Sequence, residues 1–168
     1  MEEVIKSISK YNILNYLIPG TIFCILLRLM TPYDLIQPEI TIGLFLYYFV
    51  GMIISRVGSL IVEPLFKFVG ILKYAPYDAY VEASQKDSKI EQLSETNNIY
   101  RTVVAMCMML LMLILTSWLV IYFQIEPNFL QFVVVVFLII LFVASHRKQT
   151  NFIKKRIEIV TQSKSNKK

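Results

Sequence analysis

Apolar residues gather into four long runs, roughly 12–30, 40–60, 101–124 and 128–145, and polar residues fall almost wholly between them. Each run is close to the ~20 residues with which an α-helix crosses the ~30 Å apolar core of a bilayer. The pattern predicts an all-α membrane protein with four transmembrane helices. The four valines from Val133 would also suit a buried strand, but the length of that run favours a span. No internal repeat or inverted pair of segments is evident.

Charge adds an orientation. The connector 31–39 and the turn Gln124–Asn128 carry no Lys or Arg. Of the 17 Lys and Arg, eight lie in 146–168, six in 56–101, two at Lys6 and Lys10, and Arg28 alone lies toward the other side. Cytoplasmic loops are the ones enriched in Lys and Arg. Both termini and the segment between the second and third runs are therefore expected in the cytoplasm, N-in and C-in, at a bacterial inner membrane. The chain then divides into a cytoplasmic amphipathic segment 1–11 with Val4, Ile5 and Ile8 on one face, TM1 12–30, an outer loop 31–39, TM2 40–60, a cytoplasmic interfacial and helical hairpin 61–100, TM3 101–124, an outer turn 125–127, TM4 128–145 and a basic cytoplasmic tail 146–168. Glu2, Glu3 and the want of a convincing small-residue cleavage site argue against a cleaved leader, so TM1 is expected to stay as an anchor.

Within the spans, Pro19–Gly20 predicts a kink, because proline removes a backbone hydrogen bond and glycine loosens the helix. In lipid the freed carbonyl needs a partner, and Asn12, Asn15 and Thr21 lie near it. Gly43, Gly51, Ser55 and Ser59 form a slowly drifting stripe, interrupted by Tyr47, that lets a second helix approach closely. The stripe alone does not say whether the partner is another span or another subunit; an intramolecular contact is the expectation. Arg28 is expected to snorkel to the outer interface with Asp34 or Glu39 as partner, and Arg56 to anchor the inner one. Glu63–Pro64 is expected to end or bend TM2. Lys67, Lys73, Tyr74, Tyr77 and Tyr80 read as an interfacial element. The mixed-charge run from Tyr77 to Tyr100 reads as a solvated helical hairpin, with a docking surface for a soluble protein as the competing reading.

Composition fits one small membrane domain: 56% hydrophobic and 17% charged, against about a quarter charged in soluble domains. Cys24 and Cys107 read as two small buried hydrophobes rather than a disulfide. His146 reads as a juxtamembrane polar group, and Met106, Met108, Met109 and Met112 as gap-fillers or lipid-facing residues. The acidic pairs Asp78/Glu82 and Asp87/Glu91 read as solvating charges. No spacing suggests a metal, cofactor or catalytic set, so no enzyme is expected. An ion-coupled transporter is disfavoured, since no ionisable residue lies near the middle of a span. In the tail, Lys148, Lys154, Lys155 and Arg156 are interleaved with Phe152, Ile153, Ile157, Ile159 and Val160. That mixture suits an amphipathic helix on anionic membrane lipids, at about 1 kcal/mol per basic residue near the surface; nucleic acid is the lesser candidate partner.

Two stretches, YNILNYLIPG (11–20) and KDSKIEQLSETNNIYR (86–101), resemble recurring motifs of small uncharacterised four-pass bacterial inner-membrane proteins, some of them similar to membrane components of anti-phage defence clusters. The resemblance implies a membrane-acting effector, or a subunit anchoring a soluble partner, and assigns no functional residue. The expectation is a non-enzymatic inner-membrane protein that works as a homo-oligomer or with a cytosolic protein partner, an effector or pore-like subunit controlled from the cytoplasm. The alternative is a passive anchor or immunity-like protein that recruits or blocks a partner.

Overall fold

The computed structural model describes residues 10–165, with the side chains of Lys10, Pro127 and 162–165 left aside; most of the amphipathic segment expected over 1–11 lies outside the described residues. The described chain is helical throughout, without strands. Helix α1 joins Lys10–Asn12, a π-helical turn Ile13–Leu17 and Ile18–Met30. Helix α2 joins Ile40–Val57, a second π-helical turn Gly58–Val62 and Glu63–Phe68. Then come α3, Tyr77–Lys86, α4, Lys89–Phe123, and α5, Pro127–Ser165. Four of these helices are long and apolar enough to cross a membrane: Ile13–Met30, Ile40–Phe68, Lys89–Phe123 and Asn128–Thr161.

The two π-turns share one cause. Each ends two residues before a proline, Pro19 in one case and Pro64 in the other. Proline donates no backbone hydrogen bond, and its ring crowds the carbonyl four residues back. The chain relieves this by widening one turn: Ile18 N–H bonds the carbonyl of Ile13 and Glu63 N–H that of Gly58, five residues back each time. The disturbance expected at Pro19–Gly20 is thus a π-turn just ahead of it, and Thr21 Oγ1 donates to the Leu17 carbonyl at 2.8 Å. Pro64 does not end α2, which continues to Phe68.

Helices α1, α2 and α4 form the core, around Phe23, Cys24, Leu27, Val50, Ile54, Ala105, Met106 and Leu110. Helix α5 packs on α2 and α3, with Phe142 stacked on Phe49 at 6.0 Å. Most of its apolar surface remains exposed, which suits lipid. Cys24 is buried as expected, whereas Cys107 is exposed, because it sits on the face of α4 turned away from the other helices.

The segment 31–39 is held by polar contacts. Tyr47 Oη accepts from Gln37 N–H at 3.2 Å, Asp34 Oδ1 accepts from Ile36 N–H at 2.8 Å, and Arg28 pairs with Asp34 at 3.5 Å. The α4–α5 turn uses Gln124 in the left-handed region, at φ 49°, to close the end of α4. Helix α5 runs unbroken through residue 145 into the basic tail, as one helix rather than a span followed by a separate surface helix.

Candidate functional site

Both π-turns feed the same end of the bundle, the end rich in Lys and Arg. An inserted residue rotates everything beyond it by about 100° relative to a plain α-helix, and π-turns are frequent at functional sites. The first turn carries Asn15 inward, and the second carries Ser59 and leads into Glu63.

Asn15 meets Ser55 of α2 and Thr102 of α4 in a buried polar triad. The three are 0%, 1% and 0% exposed, so each depends on the others for hydrogen bonds. Thr102 Oγ1 donates to Asn15 Oδ1 at 2.7 Å, and Asn15 Nδ2 donates to Ser55 Oγ at 3.4 Å. Thr102 Oγ1 also lies 2.9 Å from the Asn98 carbonyl, and its single hydrogen serves the shorter contact. The triad ties all three core helices together within their apolar interior.

One layer nearer the basic end, Glu63 is ringed by cations. Its carboxylate accepts from Lys67 Nζ at 2.7 Å and from Arg101 Nη1 at 2.8 Å, and Lys148 Nζ stands 3.9 Å away. Lys148 reaches in from α5 and donates to both the backbone carbonyl and the hydroxyl of Ser59, each at 2.7 Å. Arg56 Nη2 contacts Tyr16 Oη at 3.4 Å. Among the described residues, the buried Nε of Arg101 has no hydrogen-bond partner.

These groups line an open cavity of about 640 Å³, bordered also by Tyr74, Tyr77 and Phe152 and reaching inward to Ser55. Phe152 of α5 leans on Tyr77 at 5.4 Å, and Lys67 lies 4.3 Å from the Tyr74 ring centre. At the rim, burial and then the nearby Tyr16 push the Tyr11 phenol above its usual range, against the pull of its hydrogen bond with Asn98.

The residues singled out from the sequence fall in different places. A Cβ on Gly51 would strike the Tyr16 backbone, so Gly51 faces α1 of the same chain, as does Ser55 through Asn15. Ser59 faces Lys148 of α5. The nearest atoms to a Cβ on Gly43 belong to Tyr47 of its own helix, 3.2–3.3 Å away. Arg56 and Lys148, expected at a lipid interface, line the cavity, where Tyr16 and Ser59 offer them partners. Lys154, Lys155 and Arg156 are exposed, Lys154 with Glu158 at 4.0 Å. Thr102, Glu63 and Arg101 are among the site residues whose roles sequence reasoning missed, as is the inward turn of Lys148. A hydroxyl and a carboxylate just inside the ends of apolar runs were the available signal.

Among the described residues, no three of His, Cys, Asp and Glu come together to hold a metal ion. Fold and site define a protein with four helices able to cross a membrane and a cation-lined cavity at one end of its three-helix core. No family model, curated protein or solved structure matches the chain.

Proposed function

We propose that the protein is a non-enzymatic, multi-pass protein of a bacterial inner membrane that acts as an oligomeric effector or pore-like subunit under cytoplasmic control. The positive-inside bias puts the basic end, both termini and α3 in the cytoplasm. The observation that carries the reading is the continuity between the cavity and the triad. Ser55 belongs to both, and Arg101 on the cavity wall directly precedes Thr102. A change in the cavity therefore bears on the contacts that set how α1, α2 and α4 pack. The exposed faces of α4 and α5 give such a rearrangement surfaces on which copies assemble.

A passive anchor that recruits or blocks a protein partner is the second reading. It draws on the roughly 24 Å of mostly exposed, charged helix that α5 extends from Ser145 to Thr161. Controlled expression with a membrane-potential dye separates the two. An effector depolarises the cells, and Ser55→Leu changes the response. If potential is unaffected at every expression level, the effector reading is lost and the anchor reading stands.

A further inference from the structure

We infer that the cavity at the basic end binds a phosphate-bearing anion, a reading that rests on that cavity being the control site. Four cations line it, Arg56, Lys67, Arg101 and Lys148, against one carboxylate, Glu63. Glu63 is shared among three of them. Arg56 has no carboxylate within ion-pair distance among the described residues; its contact is the Tyr16 hydroxyl. A cation excess of three, packed around one cavity beside an apolar core, lacks the counter-charge that would offset its self-repulsion.

Around the cavity, Glu95 near Tyr11 is set against further basic groups on α5. A groove of about 400 Å³ along α5 shares Lys148 and Phe152 with the cavity and adds Arg147 and Lys155. The wall chemistry points to phosphate. Two guanidinium groups and two ammonium groups match an anion with several oxygens and up to two charges, and guanidinium binds such oxygens in pairs. Tyr16, Asn97 and Asn98 supply neutral donors on the same wall. The cavity lies where the apolar run of α2 gives way to Glu63 and Lys67, the depth at which both a soluble phosphate ester and an anionic phospholipid headgroup can reach it.

The test uses the full chain in nanodiscs, with thermal unfolding and assembly state read on the same samples. In phosphatidylcholine discs, inorganic pyrophosphate at a hundredfold excess over its Kd should raise Tm by roughly 5–10 °C, with Tm climbing in proportion to the logarithm of its concentration above Kd. Replacing part of the lipid by phosphatidylglycerol distinguishes the source. A headgroup ligand raises Tm before any pyrophosphate is added; a soluble ligand leaves the pyrophosphate response in place. Arg56→Gln should weaken the response at least tenfold and Arg56→Lys should restore part of it. Arg56 holds no acid, so Arg56→Gln strands no carboxylate, and with one like charge fewer in the cavity its Tm without anion should not fall below that of the native chain. The inference is overturned if neither arm shifts Tm, or if Arg56→Gln responds as strongly as the native chain. A Tm shift without any change in assembly supports anion binding while counting against the effector reading.

Discussion

Gly20 and Gly51 face each other across the α1–α2 crossing: a Cβ on Gly20 would sit 2.8 Å from Gly51 N and run into the Tyr47 carbonyl, while one on Gly51 would run into the carbonyl of Tyr16. Two backbones touch here, and the obstacles are main-chain atoms that cannot turn aside. Gly20→Ala and Gly51→Ala should each destabilise the protein by about 1–3 kcal/mol, the usual cost of overpacking. Gly43→Ala, opposed by the Tyr47 ring, should cost less. Unfolding of the three variants in mixed micelles checks the order; equal effects at all three positions would refute the crossing.

Thr102→Val removes the hydroxyl from the triad and leaves Asn15 Oδ1 without its donor. The expected loss is about 1–2 kcal/mol, with Thr102→Ser near neutral. The double variant Asn15→Leu, Thr102→Val should cost less than the sum of its single changes, because an interaction once removed is not lost twice. Strict additivity in a double-mutant cycle would mean that the two side chains are not coupled.

The ion cluster predicts unequal partners for Glu63. The Arg101 side chain is 18% exposed and that of Lys67 is 46% exposed. Arg101→Gln removes the more buried partner and should cost several-fold more stability than Lys67→Gln, for which less than about 1 kcal/mol is expected. Glu63→Gln leaves four cations without a carboxylate, so added salt should recover part of its lost stability. A salt response no larger than that of the native chain would count against this electrostatic account.

Orientation is checked by labelling. With native cysteines replaced, Glu39→Cys on intact spheroplasts should react with a membrane-impermeant maleimide, and Lys154→Cys should react only after lysis. The reverse pattern would place the cavity outside the cell and remove the case for cytoplasmic control.

The apolar runs were legible because a bilayer-crossing helix demands about twenty apolar residues whatever it packs against. What the sequence could not display is direction around a helix once proline intervenes. Of the end or bend expected at Glu63–Pro64, the end does not occur: one widened turn lets the helix pass to Phe68. Lys148 belongs to the same basic tail as Lys154 and Lys155, and nothing in its neighbours marks it as the one turned toward Ser59. Asn15 stood out as a polar residue near Pro19, but its bond to Thr102 spans 87 positions, a pairing that only the packing of α1 on α4 creates.

The unbroken course of α5 makes it a shaft. Leu141, Ser145, Lys148, Phe152 and Ile159 follow the three- and four-residue steps of a single helical face, so the part beside Phe49 and the part beside Tyr77 keep a fixed angular phase. Turning the span about its axis therefore turns the tail through the same angle, drawing Lys148 from Ser59 and Phe152 from Tyr77 together. One residue inserted at 146 would dial the tail round by about 100°, leaving Phe142 on Phe49 while swinging the Lys148 side of the cavity open.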